Sequence, residues 1–468
     1  MKTSRPNIIL ITIDCLRFDH LGCYGYHRRT SPNIDNLASR GALFLQAISN
    51  GGQTPFAFPS ILASALPPLE MHEDKDIMRR STTLAEVLKA VGYHTVAFQS
   101  TPNLMRAFNY AKGFDTFRDN LGRLSAIEKR KIMLTIRLAP LATKFSKSVS
   151  NFLGKLWRLP DLTIFLIGGK PTIAAEELTS QVISELIAYR SFFFLWLHYM
   201  DVHAPYMPPL KYRKQFCDRA VSWREMVSLY SRMRSEPETS DQMSSSEIDT
   251  LVNLYDASIK YVDDAIGQLL DSLGSALDDT IVVVTADHGD EFGEHGKFSH
   301  HTLYDGIIHV PLIIAGPGVN GDTVVKEQVS LLDLPPTIAS LAGIESVHGF
   351  FGESLLKVMK GEHRNTRGTV ATLISPKGRV ISYRIPEWKY IRTESLDAAS
   401  DVLIEEVYDL TNDPGETRNL HGMDMEESKR FESEAVKKVA EFRQLRFRVT
   451  ADYERQRIKA KLSKLGKM

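Results

Sequence analysis

The sequence predicts an α/β protein with a mostly parallel central sheet flanked by helices, and a smaller antiparallel sheet region towards the C-terminus. Three observations carry this. Apolar runs of strand length at 7–13, 192–198, 280–285 and 310–315 alternate with stretches of helical spacing, the pattern of βαβ units. Three of the runs lead straight into side chains able to do chemistry: Asp14, the stretch from His198 to His203, and Asp287-His288. After about residue 360 the texture shifts to short strand-like runs joined by turns.

Taken in order, residues 7–13 (Asn-Ile-Ile-Leu-Ile-Thr-Ile) are continuously apolar, as expected of a parallel strand buried on both faces. Residues 32–41 have helical spacing and stop at Gly41; residues 84–91 form a helix closed by Gly92, ahead of a strand at 95–98. The strand at 310–315 is bounded by Pro311 and by Gly316-Pro317-Gly318, and 235–246 is a polar loop. Short strands follow at 369–373, 380–384 and 388–392. From Glu426 the chain is charged and helical in pattern, and 443–468 holds nine Lys or Arg against two Asp or Glu. The expected organisation is a catalytic unit at 1–360, a small sheet at 361–425 and a helical tail at 426–468, without internal repeats.

Composition narrows the partners. The chain has 468 residues, 57 basic against 57 acidic side chains, so no global charge draws it to nucleic acid or an anionic membrane. Three cysteines, Cys15, Cys23 and Cys217, form no disulfide framework and match no zinc spacing. The apolar run at 7–13 is too short for a secretory signal, and no run approaches the roughly 20 residues of a membrane span. A cytoplasmic location is expected. Residues 121–170 carry ten Lys or Arg against two Asp or Glu, mixed with Phe145, Phe152 and Trp157. This basic amphipathic insertion reads as a solvated helical hairpin, a lid, or a weak membrane-surface contact.

Ligands in open α/β sheets bind at the carboxyl ends of strands, so three strand ends bearing Asp14, His198–His203 and Asp287-His288 point to one active site. An adjacent Asp-His pair offers an oxygen and a nitrogen to a divalent cation.

The ordered motifs add a family resemblance. Asn7-Ile-Ile-Leu-Ile-Thr-Ile-Asp14, Leu21-Gly-Cys-Tyr-Gly25 and Ser31-Pro-Asn-Ile-Asp-Asn-Leu-Ala38 open the series. Phe194-Leu-Trp-Leu-His198-Tyr-Met-Asp201-Val-His203-Ala-Pro-Tyr206 stands midway. Asp287-His288-Gly-Asp290, Gly293-Glu-His-Gly296, Leu303-Tyr-Asp305, Val310-Pro-Leu-Ile313 and Gly316-Pro-Gly318 come next, and Val407-Tyr-Asp-Leu-Thr-Asn-Asp413-Pro-Gly-Glu416-Thr-Arg-Asn-Leu420 closes it. Together they resemble the sulfatases of the alkaline-phosphatase-like superfamily, over nearly the whole chain.

The resemblance implies metal ligands at Asp14, Asp287 and His288, and a sulfate contact at His203. His300, four residues before Tyr304, stands where many members have an anion-gripping lysine, and His301 competes for that place. His198 reads as a hydrogen-bonded neighbour of the site. Arg17 could reach a bound anion or form a surface ion pair.

Three departures matter. Cys15 replaces a second aspartate, as either a soft ligand or a packing cysteine, and leaves the site less suited to calcium. The Cys/Ser-x-Pro-Ser-Arg motif, whose first residue becomes formylglycine, is not evident. Aligning Pro59-Ser60 with it puts the inert Ala57 at the nucleophile, whereas an ungapped count from the flanking motifs lands on Thr54, with Ser60 an outsider. Phe98-Gln-Ser-Thr-Pro-Asn103 takes the place of a further lysine.

The resemblance thus implies a metal-dependent hydrolase of sulfuric esters, acting on a small-molecule or glycan ester with a divalent ion (Mg, Mn, Ca or Zn). Thr54, His203 and His300 are its expected catalytic groups. A phosphoester hydrolase or phospho-group transferase with a Thr nucleophile, and a non-catalytic metal- and anion-binding relative, are the alternatives.

Overall fold

The computed structural model describes residues 5–71, 73–120, 172–186, 192–233, 243–364, 367–397 and 401–464, the stretch 456–464 as backbone only. The basic insertion at 121–170 lies outside the described residues, as does most of the polar stretch at 235–246, whose last residues open a helix.

Among the described residues, ten strands precede the C-terminal region: β1 (Asn7–Ile13), β2 (Gly41–Ile48), β3 (His94–Phe98), β4 (Thr116–Arg118), β5 (Phe193–Tyr199), β6 (Thr280–Ala286), β7 (Glu291–Phe292), β8 (Phe298–Ser299), β9 (His309–Ala315) and β10 (Thr323–Ser330). Eight of them make one sheet in the order β10-β2-β9-β6-β1-β5-β3-β4. Among the described residues, only β9 runs against the rest, pairing antiparallel with β2 and with β6. β1 lies inside the sheet, parallel to β5 and β6, with Thr12 opposite both His198 and Thr285. Ile8, Ile9, Leu10, Ile11 and Ile13 are at most 1% exposed. Truncating any of them to alanine would cost about 2–5 kcal/mol, so the platform under Asp14 is stiff.

A 29-residue helix, Ser245–Leu273, begins at a capping box formed by Ser244 and Glu247. It pins the turn after β1: the Tyr255 hydroxyl donates to the Cys15 carbonyl (2.7 Å) and accepts from the Arg17 amide (2.8 Å). Asp256 on the same helix meets His20 (2.7 Å) and Arg28 (2.6 Å). The sequence reading did not mark this helix, nor β2 and β10. Gly41, expected to end a helix, instead opens β2. A Cβ there would fall 2.3 Å from the Ile314 carbonyl oxygen, so the glycine serves close strand approach, and the helix Pro32–Ser39 ends without it.

The C-terminal region forms β11 (Thr369–Ser375), β12 (Gly378–Arg384), β13 (Trp388–Glu394) and β14 (Val402–Asp409), an antiparallel sheet in that order covered by the helix Glu426–Lys464. Its edge strand β11 grips the loop ahead of the helix Thr54–Ala63. Gly52 donates its amide to the Thr372 carbonyl (3.3 Å), Thr372 donates to Asn50 (3.1 Å), and Gln53 Nε2 donates to the Ile374 carbonyl (3.2 Å). The wholly buried Lys389 pairs with Asp305 (2.5 Å) and Glu416 (2.7 Å), tying the small sheet to the segment after β6. No described helix is long and apolar enough to cross a membrane.

Candidate active site

Asp14 follows β1, with its amide donating to the Tyr199 carbonyl of β5 (2.9 Å), and Asp287-His288 follows β6 on the other side. All three are 0% exposed, and so is His198 near the end of β5. His198 Nε2 stands 3.5 Å from Asp14 Oδ2; His288 Nε2 stands 3.9 Å from Asp14 Oδ1 and 3.5 Å from Asp287 Oδ2. His198 Nε2, His288 Nε2 and Asp287 Oδ2 have no hydrogen-bond partner. Buried polar atoms without partners are costly; two of these face the Asp14 carboxylate and the third faces His288, a donor set that could take an ion. Ligands about 2.1 Å from a shared ion stand about 3–3.5 Å apart, close to these spacings.

The surroundings fix the rings. His198 Nδ1 is 2.9 Å from Thr12 Oγ1, which also accepts from Trp196 Nε1 (3.0 Å), and His288 Nδ1 is 3.0 Å from the Gly289 carbonyl. Both Nε2 atoms are therefore turned inward. Burial works against the charge on Asp14, but the imidazoles of His203, His198 and His288 outweigh it and hold this carboxyl well below the usual range. At Asp287 burial and the Asp14 charge act together and raise the pKa. Burial disfavours a charged His288, yet Asp287 and Asp14 raise its pKa.

Thr54 opens the helix Thr54–Ala63, is 5% exposed, and donates to Asp14 Oδ2 at 3.4 Å. The turn before it needs its glycines: a Cβ at Gly51 would lie 2.4 Å from the Phe56 backbone, and one at Gly52 would lie 2.7 Å from Leu373. Ala57 is buried, and the Ser60 hydroxyl donates to the Ala65 carbonyl (2.9 Å), engaged at the far end of its own helix. Gln99, Ser100 and Thr101, which replace the further lysine, are buried beyond β3.

Cys15 has a left-handed backbone (φ 60°) and a fully buried thiol. Its Sγ is 3.1 Å from Asp14 Oδ1, 3.8 Å from His288 Nδ1 and 3.7 Å from His300 Nδ1. The thiol faces the polar centre. Burial and the charges of Asp290, Asp14 and Asp287 push its pKa well up.

His300 and His203 form the outer rim, their rings 5.3 Å apart, with His300 4.6 Å from the His288 ring. His300 Nδ1 lies 3.2 Å from Asp290 Oδ1, whose other oxygen accepts from Tyr206. Burial, with help from His288 and His203, pushes His300 down to about 4 against the pull of Asp290. His203 Nδ1 is 2.5 Å from the Ala204 carbonyl, and His301 is exposed with its ring 5.7 Å from that of His300.

Arg17 forms the ion-pair alternative. Its guanidinium is bidentate on Asp19 (2.9 and 2.7 Å), donates to the Asp290 carbonyl (3.1 Å) and pairs with Glu294. It braces the loops behind the site. His198, expected as a hydrogen-bonded neighbour of the site, meets Thr12, its register partner two residues before Asp14.

Residues 6–344 match the Sulfatase family profile. The chain belongs to the sulfatase family. Residues 293–444 also match the N-sulphoglucosamine sulphohydrolase C-terminal profile. This sulfatase-family chain is 26% identical to the choline-sulfatase of Rhizobium meliloti (strain 1021) over 445 residues, covering 90% of this chain and 83% of that protein. It is 29% identical to the arylsulfatase K of Danio rerio over 458 residues, covering 89% and 80%. Its fold is that of the phosphonate monoester hydrolase of Agrobacterium radiobacter, at TM-score 0.68 and 20% identity, covering 94% of this chain and 96% of that one. Family membership supports a hydrolase of sulfuric esters. Sulfatase-family proteins are generally metal-dependent, and this chain carries candidate metal-binding groups.

Proposed function

We propose that this chain hydrolyses sulfuric esters of small molecules or glycans at the end of β1, with Thr54 as nucleophile and without formylglycine. One observation carries the reading: the buried Asp14 carboxylate faces the unpartnered Nε2 atoms of His198 and His288 and accepts from the Thr54 hydroxyl. Asp14, Asp287 and His288, joined by His198, would hold one divalent cation. Two carboxylates and two imidazoles suit zinc or manganese better than calcium, which prefers six to eight oxygens.

When bound, the cation acts as a Lewis acid and lowers the pKa of an adjacent hydroxyl. Thr54 presents that hydroxyl from a helix N-terminus, where the backbone dipole favours developing negative charge. Its oxygen gives up its proton to His203 or His300 and forms the bond to sulfur as the bond from sulfur to the ester oxygen breaks, and the same ring then passes that proton to the leaving oxygen. The same two rings hydrogen-bond the non-bridging oxygens, a charge-stabilising role available to neutral imidazoles. Water then releases the group from Thr54.

A second reading, phosphoester hydrolysis or phospho-group transfer, is favoured by Thr54 itself. A plain hydroxyl ester is a common covalent intermediate in such chemistry. On either reading residues 1–360 are the catalytic unit, 361–425 a sheet bracing the nucleophile loop, and 426–468 the tail, whose helix Glu426–Lys464 covers that sheet.

Initial rates against aryl sulfates, phosphomonoesters and phosphodiesters, each with Mg²⁺, Mn²⁺, Ca²⁺ or Zn²⁺, test the reading. Metal-dependent turnover of an aryl sulfate is expected. Turnover confined to phosphoesters moves the assignment to the second reading. No turnover of any ester by metal-loaded protein leaves a non-catalytic binder of metal and anions.

A further inference from the structure

The helix Glu426–Lys464 carries two apolar stripes, and only one of them is covered. Phe431, Ala435, Val439 and Phe442 recur at spacings of three and four and pack into the cores beneath the helix. That side stays attached further along: Arg446 pairs with Glu73, and the Arg80 guanidinium lies 5.9 Å from the centre of the Tyr453 ring. On the other side Val436, Ala440 and Phe447 are exposed and fall on a second stripe. Phe447 is 75% exposed, more than any other large apolar side chain among the described residues. In the sequence Ile458 and Leu462 continue the same spacing, while Gln444 and Glu454 interrupt it.

The charge beside this second stripe is of one sign. At about 100° per residue, Arg448, Arg455 and Lys459 fall along one flank and Arg457 and Lys461 along the other. Asp452, 3.7 Å from Arg455, is an acid on the first flank. The basic excess over 443–468 is local, since the whole chain balances at 57 basic and 57 acidic residues. An apolar stripe bordered by Lys and Arg fits a helix lying in the headgroup layer of an anionic bilayer. Pairing with a second copy of the helix is disfavoured, because it would bring like charges together and bury Gln444 and Glu454 in the seam.

We propose that this outer face, from Val436 to Leu462, docks the protein on a bilayer carrying anionic lipids, with Phe447 entering the acyl boundary and the basic flanks meeting headgroup phosphates. The surface follows from the fold and charge of the helix and does not depend on which ester is hydrolysed.

Full-length protein is co-sedimented with phosphatidylcholine vesicles, with and without phosphatidylglycerol. Retention is expected on the phosphatidylglycerol vesicles only, and it should fall between about 0.1 M and 1 M salt as the Debye length shrinks from about 10 Å to 3 Å. Phe447→Ser should weaken binding by about 10-fold or more, the effect of withdrawing one phenyl ring from an apolar layer. Its melting temperature should stay at the wild-type value, because the ring is exposed. Phe447→Trp should bind as wild type does, and its emission in excess of wild type should shift to the blue on anionic vesicles. Binding indifferent to Phe447→Ser would come from elsewhere in the chain, such as the basic stretch 121–170, and overturns the proposal. So does equal retention on phosphatidylcholine alone, a wild-type protein that stays in the supernatant, or a dimer abolished by Phe447→Ser in a protein that binds no vesicle.

Discussion

Asp14, Asp287 and His288 stand at the ends of neighbouring parallel strands, whereas His203 and His300 stand on loops further out, and their burial follows that difference. The inner groups are 0% exposed and locked by backbone contacts and by the Thr12–His198 pair; the rim histidines are half-buried. Groups on a sheet hold their geometry to a few tenths of an ångström, while groups on loops can be re-aimed without disturbing the core. The inner side is therefore where an ion would be fixed, and the rim is where substrates of different shape would be sorted.

That contrast predicts unequal responses to mutation. Asp14→Ala should have the largest effect, abolishing cation binding at the inner site and lowering kcat/KM by about 10³-fold or more, read by metal analysis and initial rates together. An Asp14→Ala protein with wild-type metal content would dissolve the distinction between the two sides. His198→Ala comes next, with a loss of about 10–100-fold in metal affinity or activity, the range for groups that ligate or orient a ligand. A change below about twofold would return His198 to the role of a passive neighbour.

Gly52→Ala touches neither side directly. Its Cβ would fall 2.7 Å from Leu373 Cδ2 and 2.9 Å from the Thr302 carbonyl, between β11 and the loop ahead of Thr54. Denaturant unfolding should show a loss of about 1–3 kcal/mol, with kcat falling while inner-site metal is retained. Unchanged stability and rate would mean that the small sheet does not position the nucleophile.

The smallest effect lies outside the site and separates the pH dependence of folding from that of chemistry. Burial pushes the Asp74 carboxyl up to about 6, against the hydrogen bond from Tyr110. The folded state thus holds this proton more tightly than the unfolded chain, whose value is about 3.9. The stability it contributes is complete below about pH 4 and is lost as pH rises through about 6. Asp74→Asn should match wild type near pH 4 and melt later near pH 8, by no more than on the order of 2–3 kcal/mol. A constant difference across that range would exclude Asp74 as the source.

The inner side was legible in the sequence because continuous apolar runs such as Asn7–Ile13 and Thr280–Ala286 read as strands buried on both faces, and the residues at their carboxyl ends are placed to meet a ligand. The small sheet was legible in three strands of four, while β14, with Glu405 and Glu406 in mid-strand, was not. β10 carries Lys326 and Glu327 at the edge of the main sheet and gave no apolar run. The features that escaped the reading depend on contacts far apart in sequence. Arg17 is claimed by Glu294, 277 positions away, and the Cys15 thiol is turned inward by a left-handed backbone that no local pattern announces. His198 reads from the sequence as a hydrogen-bonded neighbour of the site, and its register with Thr12 sets its ring against Asp14.

Everything proposed for the inner side meets at Thr54, so the most direct measurement is the turnover of Thr54→Ala with bound cation counted in the same sample. The account predicts a fall in kcat of about 10³-fold or more, inner-site metal retained, and measurable turnover in Thr54→Ser, where the hydroxyl survives. Thr54→Ala turning over its ester at the wild-type rate would contradict the account and assign the attack to water.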